Sequence, residues 1–189
     1  MNRTSPHPLY ASGPMGRRSL IRGLFGAGAL ASAGWLTGCG FALRETPKFA
    51  FDAVRFAGNE NRPVTRALRS VLDTSGVRTF GTTRPGNPPS GITMVLLTVL
   101  LDQRERAVVG QTATGEVREL QIRTRFTFRL STMTGRTLIE DTEILLEGDL
   151  SFSETAALSK AAEQEMMFQD QQSEIVQQVL RRLAAVKAV

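Results

Sequence analysis

The stretch LQIRTRFTFRL, residues 120–130, decides the fold of this chain. Apolar residues and one threonine occupy every second position from Leu120 to Leu130, and the positions between them hold glutamine, threonine and three arginines. This period of two residues is kept without a slip over eleven positions. It predicts a β-strand with one face in the core and the other face basic.

A second strand is predicted to return antiparallel to this one. Thr134-Gly135 predicts a hairpin turn, and residues 137–152 then carry five acids: Glu140, Asp141, Glu143, Glu147 and Asp149. With a two-residue loop, Arg129 would lie opposite Glu140 and form a cross-strand ion pair.

Three further strands are predicted at residues 49–56, 77–80 and 92–101. The last of these is a nearly continuous run of leucine and β-branched residues, which is typical of a central strand. Residues 81–91 hold three prolines and three glycines and predict a loop. The glycines at 110–115 predict a break or bulge in the sheet.

Two helices are predicted around these strands. Pro63 suits the first helical position because its missing N–H is not needed there, and Gly76 is expected to end that helix after one apolar stripe. The second helix is predicted over residues 153–189, which contain no glycine or proline and are amphipathic in their second half. Residues 166–168, Met-Met-Phe, are interpreted as core rather than lipid-binding. The chain is therefore predicted to be an α/β protein, with two helices packed on one face of a four- to five-stranded mixed, mostly antiparallel sheet.

The segment 17–44 has the pattern of an export signal. Adjacent arginines precede 16 positions rich in glycine and alanine, and LTGC at 36–39 resembles a lipobox. A membrane-spanning helix needs about 20 consecutive apolar residues, so this run is too short. We expect a lipoprotein signal peptide at 1–38, with Met15 as an alternative start, a lipidated tether at 39–48 and a single domain at 49–189.

A lipobox implies that Cys39 carries a diacylglycerol on its sulfur and an acyl chain on its new N-terminus; no other cofactor is expected. The alternative is a core helix in which Cys39 is a free or buried thiol. The several glycines disfavour it, because each costs roughly 1 kcal/mol relative to alanine within a helix. GRRSLIR at 16–22 also resembles a twin-arginine motif, so two export routes stay open.

Removing this leader changes what the composition indicates. Four of the 23 basic residues and none of the 18 acids lie in 1–38, so 19 basic residues remain and the net charge falls to about +1. Nucleic-acid binding is therefore not predicted. His7, Tyr10 and Trp35 also lie in the leader. The remaining chain thus lacks the residues for a Cys/His metal site, a histidine-activated nucleophile or a stacking platform of tyrosine and tryptophan.

Three segments together resemble the lipopolysaccharide-assembly lipoprotein family, LptE. They are CGFALR at 39–44, VTRALR at 64–69 continuing to SGV at 75–77, and ALSKAAEQEM at 157–166. The resemblance implies a non-enzymatic lipoprotein on the periplasmic side of the outer membrane. It also implies that the protein plugs an LptD-type β-barrel, helps that barrel assemble and assists lipopolysaccharide insertion at the cell surface.

The same resemblance implies a site for lipopolysaccharide, whose phosphates favour basic ligands. Lys160 matches the family's lysine in an Ala-x-x-Lys-x-x-Glu stretch, and Arg104, Arg106 and Arg118 are candidates for a second basic contact. The alternative for Lys160 is an ordinary helix ion pair with Glu163.

The basic face of residues 120–130 has two interpretations. In one, Arg123, Arg125 and Arg129 form a solvated face that the acidic return strand neutralises. In the other, this face lies against a polar barrel lumen, where charged side chains stay hydrated.

Two other function classes stay open at this point. One is the auxiliary lipoprotein of a lipid-transporting ABC system, which would have no stable barrel partner. The other is a lipid-anchored hydrolase with paired carboxylates drawn from Glu140, Asp141 and Glu163. Nothing in the sequence gives those acids a cleft, so an enzyme is not predicted.

Overall fold

A computed structural model describes residues 48–189 of this chain. The predicted signal peptide, Cys39 and all but the last residue of the predicted tether lie outside the described residues. The elements follow one another as β1 (Ala53–Gly58), α1 (Pro63–Thr74), β2 (Arg78–Phe80), β3 (Met94–Gln111), β4 (Val117–Thr132), β5 (Thr137–Ser151) and α2 (Ala157–Ala185).

The five strands form one sheet in the order β2-β1-β3-β4-β5. β1 pairs parallel with both β2 and β3, whereas β3, β4 and β5 are successively antiparallel. Both helices contribute to the core on one face of this sheet. The predicted class, two helices on a mixed and mostly antiparallel sheet, is confirmed.

The burial pattern of β4 confirms the two-faced strand that the alternation predicted. Its even-numbered positions from Leu120 to Leu130 are all buried, and the basic positions between them are half-buried or exposed. Because β4 has β3 on one side and β5 on the other, its backbone groups are paired along both edges. The strand thus presents a buried row to the helices that is apolar except at Thr124, whose hydroxyl donates to Gln171 Oε1 at 2.7 Å.

The apolar residues of this row belong to two core clusters, which follow one another along β4. The larger one combines Phe126, Phe128 and Leu130 with β1, β3, α1 and the C-terminal half of α2. The smaller cluster contains Leu120, Ile122, Leu150 and Phe168, and lies under the first half of α2. The 29-residue helix α2 is therefore long enough to cover both clusters. No helix in the described part of the chain is apolar enough over a sufficient length to cross a membrane.

Two glycines allow close approaches that a side chain would block. Gly58 ends β1 with φ +85°, and a Cβ there would lie 2.3 Å from the carbonyl oxygen of Val99. At Gly148 of β5, an added Cβ would lie 2.7 Å from Cε of Met167, so this glycine lets α2 cross close to the sheet.

Three local predictions were wrong in detail. The bounds of two strands differ from the prediction. The first strand begins at Ala53 rather than at residue 49, because pairing with β2 and β3 begins there; Phe49 and Phe51 precede it and stack on each other at 5.4 Å. The strand predicted at 92–101 is β3, which continues to Gln111 because β4 pairs with it over that length. Met166 is 62% exposed, so only its neighbours Met167 and Phe168 contribute to the core.

The third correction concerns the β4–β5 register. Phe128 pairs with Thr142 but Leu130 pairs with Ile139, so β5 contains one extra residue between these pairs. Arg129 consequently binds Asp141 instead of Glu140.

Replacing adjacent β4 residues tests this two-faced strand. We expect Phe126→Ala to lower the free energy of unfolding by about 3–5 kcal/mol, because it opens a cavity in the core. Thr127→Ala, on the other face, should cost about 1 kcal/mol or less. Urea unfolding of both variants measures the difference; equal losses would contradict the assignment of the two faces.

Candidate functional site

Three of the four candidate lipopolysaccharide ligands lie at one end of the sheet. We call this the distal end; it contains the β3–β4 turn at 112–116 and the end of β5. Arg106 lies on β3 opposite Ile122, is exposed and has no ion pair among the described residues. Arg118 lies near the start of β4, and Lys160 contacts the last residue of β5. The distal end therefore carries basic groups from two strands and one helix.

Lys160 is tied to its neighbours in the way that the ion-pair interpretation predicts. Its Nζ donates to Glu163 Oε2 at 2.8 Å and to Ser151 Oγ at 3.1 Å. The ammonium group thus spans the gap between the first turns of α2 and the end of β5. Arg118 has a weaker local tie, an exposed ion pair of 3.1 Å with Glu116 in the adjoining turn.

Arg104 differs from these three residues because it joins the sheet to α2. Its guanidinium donates to Gln172 Oε1 at 2.8 Å and to Glu165 Oε1 at 3.3 Å, and lies 5.0 Å from the centre of the Phe168 ring. The side chain is 22% exposed. These contacts engage both terminal nitrogens and Nε is buried, so the geometry gives Arg104 a structural role.

The basic face of β4 lies on the side of the sheet opposite the helices, and we call this the open face. Each of its arginines meets an acid of β5: Arg123 with Glu147 at 2.9 Å, Arg125 with Glu143 at 3.8 Å, and Arg129 with Asp141 at 2.6 Å. The last pair is bidentate. Its hydrogen bonds raise the pKa of Arg129 and lower that of Asp141. The arginines of the open face are therefore neutralised by acids of β5, an arrangement that is compatible with both interpretations of this face.

The acids considered for hydrolysis do not form a pair across a cleft. Asp141 lies near the start of β5 and Glu163 lies beside its last residue. Ten residues of strand separate these places by about 33 Å. Within residues 48–189, no three acids, histidines or cysteines are arranged to hold a metal ion.

Asp102 is a buried acid that the sequence analysis did not single out. It lies on β3 and caps the N-terminus of α1. The residue before Pro63 is Arg62, and it provides no side-chain cap. Instead Asp102 Oδ2 accepts hydrogen bonds from the backbone N–H and the hydroxyl of Thr65, both at 2.8 Å. Asp102 is 4% exposed, and its charge complements the positive end of the helix dipole. Two open hollows of about 580 and 610 Å³ flank this turn, and both are lined by Pro63 and Arg104.

A second buried acid, Glu60, holds together the loops at the other edge of the sheet. Its carboxylate accepts hydrogen bonds from the Thr82 N–H at 2.8 Å, the Thr82 hydroxyl at 2.6 Å and Arg69 at 3.1 Å. The Arg69 guanidinium lies 4.8 Å from the centre of the Phe56 ring. Burial raises the pKa of Glu60, but the hydrogen bonds from Thr82 and Arg69 outweigh it and hold the pKa below 4.5.

The lowered pKa of Glu60 predicts a pH-dependent contribution to stability. The unfolded chain binds this proton more tightly than the folded one, so the contribution is present above pH 4.5 and is lost as the pH falls through the folded-state pKa. We expect Glu60→Gln to lower the free energy of unfolding by about 2–4 kcal/mol at pH 7, and by less at pH 3. Asp170→Asn, an exposed helix variant, should stay within about 0.5 kcal/mol at both pH values. A deficit for Glu60→Gln that does not depend on pH would contradict the assignment.

Comparison with known families finds one that covers most of this fold. The model of the lipopolysaccharide-assembly family LptE matches residues 51–183. This range runs from two residues before β1 almost to the end of α2. No curated protein matches the chain.

Solved structures of similar fold are bacterial lipoproteins. The solution structure of lipoprotein B from Nitrosomonas europaea is 28% identical, with a TM-score of 0.61 over 77% of this chain and 91% of that one. Rare lipoprotein B from Shewanella oneidensis is 18% identical, with a TM-score of 0.53 over 70% and 94% of the two chains. A minor lipoprotein from Acinetobacter baumannii is 17% identical, with a TM-score of 0.53 over 73% and 94%. The last two identities support the fold alone.

Proposed function

The chain belongs to the LptE family of lipopolysaccharide-assembly proteins, and from this membership we propose that it is an outer-membrane lipoprotein acting inside the lipopolysaccharide translocon. In this proposal it plugs an LptD-type β-barrel, helps that barrel assemble and contacts lipopolysaccharide on its way to the cell surface. The protein acts by binding, not by catalysis.

The observation that carries this proposal is the extent of the family match. Residues 51–183 include every strand, α1 and nearly all of α2. The match therefore covers the complete sheet and its helical layer, in addition to the short motifs that first indicated the family. The ABC-type auxiliary lipoprotein has no comparable support.

Membrane attachment in this proposal depends on Cys39. Each buried methylene contributes about 0.8 kcal/mol, so one acyl chain binds a membrane marginally and two or more hold stably. A diacylglycerol on sulfur together with an N-terminal acyl chain meets this requirement. Gly40 follows Cys39, whereas an aspartate at that position is the usual signal for retention in the inner membrane.

We propose that the distal end contacts the phosphorylated part of lipopolysaccharide through Lys160, Arg118 and Arg106. Arg106 has no ion pair among the described residues, and the partners of Arg118 are exposed, so both can turn to a phosphate at little cost. Lys160 can exchange Glu163 for a phosphate oxygen, since both are anionic acceptors. Arg104 supports this site by holding α2 on the sheet.

The open face is the surface that we propose lies against the barrel lumen. Its three arginines are already paired with β5 acids, so this face stays compatible with water while remaining able to bond across an interface. The helix-bearing face buries the core and is less suited to a polar lumen.

Purification of the native complex tests the plug directly. We expect a C-terminally tagged chain, extracted from its own outer membrane in mild detergent, to bring down one large β-barrel protein at about 1:1, because a plug is enclosed by its partner. Densitometry of the purified bands gives the ratio. Recovery of a monomer, or of an inner-membrane ABC complex, would contradict the proposal.

A paired substitution tests the distal site. Lys160→Ala combined with Arg118→Ala should weaken lipopolysaccharide binding about tenfold or more, since charge-assisted hydrogen bonds to phosphate are lost. The melting temperature should fall by no more than about 2 °C, because exposed ion pairs contribute little. Arg181→Ala, which removes an equally exposed helix arginine paired with Glu174, is the control and should bind normally. Unchanged affinity in the double variant would remove both residues from the site.

A further inference from the structure

The long outer edge of the sheet at β5 has features that the proposed function does not use. β5 is hydrogen-bonded to β4 along one side, and no other described strand lies beyond it. In an antiparallel strand every second residue turns its N–H and carbonyl away from the partner. β5 therefore presents a row of outward backbone donors and acceptors along 15 residues.

Natural proteins usually protect such an edge with charged side chains (lysine above all), with proline, with bulges or with a short strand. The irregularities of the β4–β5 pair are confined to the part before Thr142, and the ten residues 142–151 pair with β4 without a register shift. They contain no proline and no lysine. This half of the edge is geometrically ready to accept another strand.

The charge of β5 restricts what that strand can be. Thr137–Ser151 carries five acids and no basic residue. Within 142–151, the acids Glu143, Glu147 and Asp149 lie on the open face, with Leu145 between the first two. A second copy of β5 would place acids beside acids, which destabilises strand pairing. Basic residues at alternate positions would instead extend the arrangement that β4 already makes on the inner side.

The helix-bearing face of β5 determines which residues a partner strand would need on that side. Ile144 and Leu150 are buried, while Leu146 between them is only partly buried at the margin of the main core. Apolar side chains from a neighbouring strand would cover Leu146 and continue the core outward. A suitable strand therefore alternates basic and apolar residues, as β4 does.

We propose that the edge formed by residues 142–151 accepts an extended segment of a partner polypeptide as a sixth strand, with basic residues on the open face and apolar residues on the helix-bearing face. Main-chain hydrogen bonds supply the affinity of such a contact, and the alternating side chains supply its specificity. This inference goes beyond the proposed function, because it specifies the backbone contact and the sequence pattern of a partner segment.

A peptide of defined pattern tests the edge without any barrel protein. The full chain in mild detergent is titrated with a capped ten-residue peptide that alternates arginine with valine, and amide hydrogen exchange is read by NMR. We expect exchange at every second amide of residues 142–151 to slow by about tenfold or more. A peptide of the same composition with its arginines grouped at one end should give no alternating protection.

Two charge variants complete the test. Asp149 has a hydrogen bond from Gln121 but no ion pair among the described residues, so Asp149→Lys should weaken peptide binding about fivefold while the sheet is retained. Glu174→Lys makes the same charge change on α2 and should leave binding unchanged. Three results would each overturn the proposal. Both peptides could bind without alternating protection, or neither could bind. Alternatively, protection could rise with protein concentration in the absence of peptide. None of these results depends on whether a barrel co-purifies with the native protein.

Discussion

The rest of the structure depends on the burial of one face of β4. Its buried row from Leu120 to Leu130 supplies residues to both core clusters. A row of this length needs a cover of matching length, which is why α2 extends over 29 residues and crosses the sheet at Gly148. The period of two then forces the arginines onto the open face, so the same constraint that builds the core also determines where the charge lies.

Local patterns were sufficient to predict the elements that β4 organises. Alternation predicted β4, Pro63 and Gly76 bounded α1, and the absence of glycine and proline predicted α2. The details that failed depend on pairing with distant residues. Phe49 and Phe51 are as strand-like as their neighbours, but β2 and β3 supply partners only from Ala53 onward. The extra residue in β5 has no signature of its own, and it moved the partner of Arg129 from Glu140 to Asp141.

The residues of the candidate site also differ in whether a local sequence pattern could predict their contacts. Lys160 with Glu163 is a contact within one helix, and its spacing was visible in the sequence. Asp102 and Thr65 are 37 positions apart, and Arg104 and Gln172 are 68 apart, so no local rule joins them. The missing cap at Arg62 and the single acid at the end of the apolar run 92–101 were the available signals for Asp102. No feature of the sequence distinguished Arg104 from Arg106. The difference arises in the fold, because α2 contacts Arg104 and leaves Arg106 exposed.

The separation of charge between β4 and β5 connects the two proposed binding surfaces, the distal end and the outer edge of β5. Placing basic residues on β4 and acids on β5 neutralises the middle of the open face, where each arginine has a partner. Beyond this middle, Arg106 on β3 and Asp149 on β5 are charged groups that have no ion pair among the described residues. In the two proposals, an anionic lipid headgroup meets basic groups of β3, β4 and α2, and a basic polypeptide segment meets the acids of β5. In the proposed function, placing these ligands on different elements keeps the lipid and the polypeptide from competing for one charged surface.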